Sequence, residues 1–285
     1  MIPILFSVGS IHIYSMSIFL VLAWSVGSLV FWKGLRQQGI EEERIFDCMF
    51  WATLVGLLVA RIGYVLLHQQ LFTGSWLKVA ALWVVPGLSV YPGLAGGIIT
   101  LLFLARRFKI RLGHVFDVLA FSLSGAIAIG SVGAAFSGSI AGYQTRLPWA
   151  MRVVGAEGLR HPVALYFAIV SLVLLIIIAG LEIQAKKKDW PLGLLGIWYF
   201  LLFSVSFFVI EFLVSDSVYW GKMRANQWML LAICCQALGA FYVRGGVRES
   251  IRPVFRKSIV AVVRFPKLIY ERIRNGFIKQ SKNKS

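Results

Sequence analysis

The sequence contains little charge, and acidic residues are especially few. Of its 285 residues, 14% are charged and 12 are Asp or Glu, whereas a soluble domain has about 25% charged residues. Hydrophobic residues make up 59% of the chain, and the mean hydropathy is +0.79. This composition excludes an ordinary soluble domain. It predicts a protein that crosses a membrane several times.

Motifs of several enzyme classes are missing as well. The sequence has no Walker loop, no HExxH pair and no Ser/His/Asp arrangement. Its three cysteines, Cys48, Cys234 and Cys235, lie in apolar runs without metal-ligand spacing, so we expect small buried side chains and no metal site. The first residues show no basic segment followed by a cleavage site, which predicts no cleaved signal peptide.

The basic residues are distributed as in a membrane protein. The net charge of +17 would suggest a nucleic-acid partner in a soluble protein, but these residues lie between apolar runs and in the tail. We therefore predict no nucleic-acid partner. One set of alternate loops, with the tail, holds 22 Lys and Arg, and the other set holds 6. Because basic loops stay in the cytoplasm, the N-terminus is predicted outside and the C-terminus inside.

Seven apolar runs predict an all-α polytopic membrane protein with about seven transmembrane helices, each of which needs about 20 residues. Pro86-Gly87 and Pro92-Gly93 interrupt the third run, so we expect its helix to begin near Gly93. The predicted spans are 11–32, 45–67, 80–104, 115–136, 162–181, 193–214 and 226–243.

Two parts are predicted, a transmembrane domain at 1–243 and a cytoplasmic tail at 244–285. The tail is basic, and its apolar residues recur at helical spacing. Such a segment binds anionic lipid headgroups at the membrane surface. The alternative is a solvated, partly disordered tail.

The segment 117–142, DVLAFSLSGAIAIGSVGAAFSGSIAG, is rich in small residues. Glycine and serine are not favoured inside helices, but within a membrane they allow close helix contacts and irregular backbone beside a cavity. Two interpretations follow from this pattern. The segment is either a tight helix-packing surface or the floor of a site buried in the bilayer.

Ionisable residues within spans are costly and are candidates for function. Arg61 and Glu211 are both predicted near the outer ends of spans, where they could form a neutral pair. Arg160-His161 opens the fifth span from the outside. For Arg61 and for Arg160-His161 the alternative is a position at the membrane interface.

Six segments, in order and spacing, resemble the bacterial prolipoprotein diacylglyceryl transferase family over most of residues 5–243. The segments are SVGSIHIYSMS, ARIGYVL, GLSVYPGLAGG, the small-residue segment 117–142, RHPVALY and GLLGIWYFLLFSVSFFVIEFL.

The resemblance implies an enzyme of the bacterial inner membrane. Such an enzyme moves a diacylglyceryl group from phosphatidylglycerol to the Cys thiol of a prolipoprotein, and glycerol phosphate leaves. The prolipoprotein signal peptide would be a second partner, and no cofactor is used. The lipid-binding candidates are Arg61, Arg146, Arg152, Arg160, His161 and Glu211. The backbone expected to line the cavity is Gly93, Gly130, Gly133, Gly138 and Gly142.

Most charged groups of the family pattern are replaced in this chain. The family's Gln and Glu after the RHP segment become Ala164 and Phe167. Its other catalytic positions are occupied by Met16, Tyr91, Ser131, Ala134, Ser137, Ser139 and Phe207.

Three functions stay open after these replacements. The chain is a divergent transferase with replacement residues, a catalytically silent paralogue that binds lipid, a lipoprotein precursor or a partner enzyme, or a transport or structural protein. Without the family's cations, we predict transfer below a normal rate.

Overall fold

Helices form most of the chain. The computed structural model describes residues 4–8, 11–72, 77–81, 84–85, 87–153, 155–215 and 218–244. A short 3-10 helix, Gln69–Phe72, follows the second α-helix. The α-helices are α1 Ser15–Arg36, α2 Glu42–Leu67, α3 Leu77–Ala80, α4 Val90–Arg107, α5 Leu112–Ser137, α6 Val163–Lys187, α7 Leu194–Glu211 and α8 Ala225–Arg244.

Three small antiparallel hairpins each come just before a long helix. Their strands are β1 Ile4–Val8 with β2 Ile11–Tyr14, β3 Met151–Arg152 with β4 Leu159–Arg160, and β5 Tyr219–Trp220 with β6 Met223–Arg224. Strands β2 and β6 end directly before α1 and α8. Two residues separate the end of β4 from the beginning of α6. These hairpins therefore fix the direction in which the chain enters three helices.

The prediction of a helical multi-pass membrane protein is confirmed. Six helices within the described residues are long and apolar enough to cross a membrane, namely α1, α2, α5, α6, α7 and α8. Within the predicted span 80–104, the expected helix start near Gly93 is three residues late, because α4 begins at Val90. The irregular backbone before α4 is held by Arg61, which donates hydrogen bonds to the carbonyl oxygens of Val85 and Gly87.

Small residues bring helices together at two places. A Cβ atom added to Gly133 of α5 would collide with Phe19 of α1. A Cβ atom added to Gly93 of α4 would lie 2.9 Å from the Cβ atom of Ala60 in α2. At Gly133 the structure therefore favours the packing interpretation of the small-residue segment.

Helix α7 is held at its first turn by a carboxylate from α5. Asp117 accepts hydrogen bonds from the backbone N–H groups of Gly193 (2.8 Å) and Gly196 (2.9 Å). These donors belong to the helix N-terminus, which has no intrahelical acceptors for them and carries a partial positive charge. Asp117 thus caps α7 and fixes its position against α5.

The chain divides into a compact unit of residues 1–238 and a second unit from 239 onward. Of the second unit, only 239–244 is described, as the last turns of α8. Most of the predicted lipid-binding tail, from 245 onward, lies outside the described residues.

Burial of all three cysteines is a wrong prediction. Cys48 is buried, Cys234 is half-buried and Cys235 is exposed. The last two lie on α8, whose buried positions include Leu230 and Ala237. The 3.6-residue period turns Cys235 away from that face, whereas Cys234, four residues after Leu230, lies beside it and is covered only in part.

Candidate functional site

A buried carboxylate lies at the end of α7. Glu211 is 2% exposed. Its Oε1 accepts a hydrogen bond of 2.8 Å from Asn226 Nδ2 and one of 3.3 Å from the hydroxyl of Tyr91. Its Oε2 has no hydrogen-bond partner among the residues that the structure describes. One carboxylate oxygen is thus held in place, and the other stays available for a proton or a ligand.

Three helix ends meet at this carboxylate. Tyr91 belongs to the first turn of α4, Glu211 is the last residue of α7, and Asn226 belongs to the first turn of α8. The hairpin β5–β6 reverses the chain between α7 and α8. This reversal brings Asn226 back to Glu211 across 15 residues of sequence.

A buried arginine precedes α8. Arg224 is 4% exposed. Its Nε donates to the hydroxyl of Tyr219 (3.3 Å), and its Nη2 donates to the hydroxyl of Tyr143 (3.0 Å) and to the carbonyl oxygen of Phe212 (3.3 Å). Its Nη1 is buried without a partner in the described part of the chain. Two of the three guanidinium nitrogens therefore fix the side chain, and the third is unused.

Aromatic rings surround this cation. The central guanidinium carbon of Arg224 lies 5.6 Å from the ring centre of Tyr143 and 5.7 Å from that of Tyr219, within the range of a cation–π contact. The hydrogen bond from Arg224 lowers the pKa of Tyr219 below its ordinary value, because a nearby cation favours the phenolate. Both contacts depend on a charged guanidinium.

Gln227 adds a second unused donor at the start of α8. It is 2% exposed. Its Oε1 accepts a 3.1 Å hydrogen bond from the backbone N–H of Arg224, as in a helix cap. Its Nε2 is buried without a partner among the described residues. The first turn of α8 therefore carries unused hydrogen-bond donors beside the positive end of the helix dipole.

Arg160, a predicted lipid-binding residue, holds two loops together. It donates to the carbonyl oxygens of Glu157 (3.1 Å) and Gly142 (3.1 Å) and to the hydroxyl of Ser215 (3.4 Å). Backbone bonds between 141–143 and 213–215 join the same loops. Arg160 thus stabilises the connection between the α5–α6 loop and the end of α7.

The predicted pair of Arg61 and Glu211 is wrong. Arg61 is 7% exposed and donates to four backbone carbonyl oxygens at 2.7–2.9 Å. Glu211 instead bonds to Asn226 and Tyr91. The physical reason is that the segment before α4 offers Arg61 a complete set of acceptors close to α2. Those acceptors are the carbonyl oxygens of Lys78, Val79, Val85 and Gly87.

The other predicted lipid-binding residues lie in or beside the α5–α6 loop. Arg146 and Arg152 are exposed, and His161 is half-buried. His161 Nδ1 lies 3.2 Å from the hydroxyl of Tyr166, which also accepts a 2.8 Å hydrogen bond from the indole of Trp149. This group orders the entry into α6.

Two of the replaced family positions contact each other. Phe167 of α6 and Phe207 of α7 stand where the resemblance places the family's Glu and Arg. Their ring centres are 4.7 Å apart, and Phe207 also packs on Phe203 at 4.3 Å. Both rings are buried, at 6% and 5% exposure. Apolar residues of similar volume can replace a buried ion pair without loss of stability.

The remaining replaced positions lie along or just beyond α1, α4 and α5, apart from Ala164, which is buried in α6. Tyr91 and Ala134 are buried, while Met16, Ser131 and Ser137 are half-buried. Ser139, just beyond α5, is exposed. Of these side chains, the structure places Tyr91 against Glu211.

The glycines expected to line a cavity lie in four kinds of surroundings. Gly93 and Gly133 lie in the helix contacts described above. Gly138 ends α5 with a φ of 70°, a left-handed conformation that favours glycine. A Cβ atom on Gly142 would collide with the carbonyl oxygen of His161, whereas one on Gly130 would meet only Ala23 Cβ, at 3.9 Å.

Sequence reasoning missed the start of α8. Arg224 counted there only as a loop charge, and Asn226 and Gln227 were not considered. The run Met-Arg-Ala-Asn-Gln directly before an apolar stretch contains an available signal, because a polar side chain at the third helical position often caps the helix. This signal does not predict the contact between Asn226 and Glu211.

The match to known proteins covers the whole transmembrane part. The family model "Prolipoprotein diacylglyceryl transferase" matches residues 3–243. The chain belongs to the prolipoprotein diacylglyceryl transferase family.

Bacterial relatives named phosphatidylglycerol–prolipoprotein diacylglyceryl transferase match along most of their own length. The relative from Synechococcus elongatus is 26% identical over 90% of this chain and 92% of its own. The one from Gloeobacter violaceus is 28% identical over 88% and 94%, and the one from Finegoldia magna is 25% identical over 80% and 90%. In this chain, Glu211 is surrounded by Tyr91, Asn226 and the start of α8.

Proposed function

We propose that this chain binds phosphatidylglycerol and transfers its diacylglyceryl group to the Cys thiol of a prolipoprotein, at a rate well below that of members with the full set of charged residues. The buried Glu211 carboxylate, with Oε2 unused, is the observation that carries this proposal. Membership of the family and the names of its relatives support the substrate class.

Glu211 is the proton acceptor in this proposal. The thiol must lose its proton before it attacks, because the thiolate is the nucleophile. The proton goes to Oε2 of Glu211, while Oε1 stays bound to Asn226 and Tyr91. The sulfur then forms a bond to the glyceryl carbon, and the bond between that carbon and the phosphate oxygen breaks. Glycerol phosphate leaves with both electrons of that bond.

The low rate follows from the replaced cations. Negative charge grows on the departing phosphate and needs a cation nearby. Ser131 and Phe207 occupy two positions where the resemblance places arginine, and Phe207 lies in an aromatic cluster with Phe167 and Phe203. One lost electrostatic contact of this kind costs about 10²–10³ in rate.

The test uses the full chain in nanodiscs of phosphatidylglycerol with a labelled lipobox peptide. We expect slow labelling with release of glycerol phosphate, and no labelling in phosphatidylcholine. Glu211→Gln should lower the rate at least about 100-fold, whereas Glu43→Gln, at an exposed carboxylate of α2, should not. Equal rates for the wild type and Glu211→Gln would reject the role of Glu211. Turnover as fast as that of the Synechococcus relative would reject the low rate.

A catalytically silent paralogue is the second candidate, and the apolar contact between Phe167 and Phe207 favours it. It would retain phosphatidylglycerol without releasing glycerol phosphate. Expression in a bacterium depleted of its own transferase separates the two candidates. Restored growth, lost again with Glu211→Gln, supports the enzyme.

The proposed location is the bacterial inner membrane, with the N-terminus outside and the C-terminus in the cytoplasm. The loops on the proposed cytoplasmic side, together with the tail, hold 22 Lys and Arg, and the loops on the other side hold 6. This difference supports the orientation. Reporter fusions after Lys188 and after Arg244 should be cytoplasmic, and one near Gly155 external. An external signal from the reporter fused after Arg244 would contradict this orientation. The prolipoprotein signal peptide and anionic headgroups at the tail remain proposed partners.

A further inference from the structure

We propose that Arg224 Nη1 and Gln227 Nε2, at the start of α8, bind an oxygen of an anionic phosphate group, and that Arg224 thereby supplies one cation where the family pattern has several. The inference rests on the proposed function and names the residues that receive the phosphate of its lipid substrate. Neither residue occupies a position of the family pattern described above.

Unused donors on two buried side chains are the first argument. Arg224 and Gln227 are 4% and 2% exposed, and both Arg224 Nη1 and Gln227 Nε2 lack an acceptor within the described residues. A buried donor without an acceptor is unfavourable, and more so when it carries charge. A ligand that supplies acceptor oxygens and negative charge removes this cost.

The orientation of both donors is fixed by the other atoms of the same side chains. Arg224 Nε and Nη2 are held by Tyr219, Tyr143 and the carbonyl oxygen of Phe212. Gln227 Oε1 is held by the backbone N–H of Arg224. The unused atoms therefore keep their positions before a ligand arrives, and preorganised donors lose less entropy on binding.

The electrostatic surroundings select an anion over a neutral acceptor. Arg224 is a cation, and the positive end of the dipole of the 20-residue helix α8 adds to its charge. Arginine nitrogens match the spacing and charge of phosphate oxygens.

The position beside Glu211 selects the phosphate of a lipid substrate. Asn226 lies between Arg224 and Gln227 in sequence and donates to Glu211 at 2.8 Å. The phosphate would therefore be held next to the carboxylate that takes the thiol proton. Glu211 itself uses Oε1 for Asn226 and Tyr91, and no ion pair joins it to Arg224 in the described part of the chain.

Gln227→Glu is the sharpest variant for this inference. It keeps the acceptor for the Arg224 backbone N–H and replaces the unused donor with a carboxylate oxygen. The folded protein should therefore keep its melting temperature, and an anion should be repelled. Arg224→Gln removes the cation, and Lys222→Gln is the matched control, because it removes an exposed charge from the same hairpin.

The assay measures binding of fluorescent dioleoyl-phosphatidylglycerol to the purified full chain in neutral detergent. Gln227→Glu and Arg224→Gln should weaken binding at least about tenfold, as expected for loss of a charged hydrogen bond, and Lys222→Gln less than about twofold. Wild-type affinity in folded Gln227→Glu would overturn the inference while the proposed function stands. A wild type that binds dioleoylglycerol, which has no phosphate, equally well would overturn both.

Competition identifies the source of the phosphate. Unlabelled phosphatidylglycerol should displace the probe at low concentration. Glycerol phosphate should do so only at concentrations at least about 100-fold higher, because it lacks the apolar chains that add to affinity. Equal potency of the two competitors would contradict a lipid ligand.

Discussion

Two buried arginines of this protein differ in what their guanidinium groups contact. Arg61 binds four backbone carbonyl oxygens before α4, and the rings of Phe72 and Tyr64 lie 5.1 and 5.9 Å from its central carbon. Arg224 binds three oxygens and keeps Nη1 unused. Burial alone therefore does not separate structure from function. The unused nitrogen does, because a purely structural arginine is expected to use its donors within the chain.

Arg61→Leu should have the largest effect on stability. It removes four charged hydrogen bonds and leaves carbonyl oxygens without donors, a loss above about 3 kcal/mol. Unfolding in detergent measures it, with the exposed Arg106→Leu as control. A melting temperature equal to that of the control would remove the distinction between the two arginines.

Gly133→Leu comes second and tests helix packing away from both arginines. Its side chain would collide with Phe19 of α1, and overpacking of this kind costs about 1–3 kcal/mol. Gly130→Ala is the matched control in α5, since its nearest atom would be 3.9 Å away. Equal stability of the two variants would show that α1 and α5 separate easily.

Tyr91→Phe should have a smaller effect. It removes one 3.3 Å hydrogen bond to Glu211 while Asn226 still holds the carboxylate, so the loss is about 0.5–1.5 kcal/mol. The same unfolding measurement detects it. A loss as large as that of Arg61→Leu would mean that the Glu211 cluster is part of the scaffold.

The smallest expected effect is the coupling free energy between Arg61 and Glu211. Their hydrogen-bond partners are different, so Arg61→Leu and Glu211→Gln should be additive within about 0.5 kcal/mol. A double-mutant cycle measures this coupling. A value above about 1 kcal/mol would indicate an interaction between the two sites.

The helices were predictable from sequence because the apolar runs have the length of a bilayer. The irregular chain before α4 was predictable only in part. Pro86-Gly87 and Pro92-Gly93 indicated an interruption, but the reason α4 begins at Val90 is the set of carbonyl groups bound by Arg61. Such a contact joins residues 17–26 positions apart and leaves no periodic signal.

The candidate site was predictable at Glu211, because a carboxylate inside an apolar run is unusual. Its partners were not, since Tyr91 and Asn226 are 120 and 15 residues away. The resemblance drew attention to positions that carried charge in the family. Arg224 lies outside those positions, and its importance becomes visible only when each nitrogen of its side chain is followed to a partner.

Asp117 sets an order for biogenesis. Its bonds to Gly193 and Gly196 join groups 76 and 79 residues apart, so α5 leaves the ribosome well before their donors exist. A nascent chain that stops before residue 193 lacks these two links near the beginning of α5. Completion of α7 supplies them and locks the two helices together. Assembly of the helical domain is therefore finished late, when most of the polypeptide has already been synthesised.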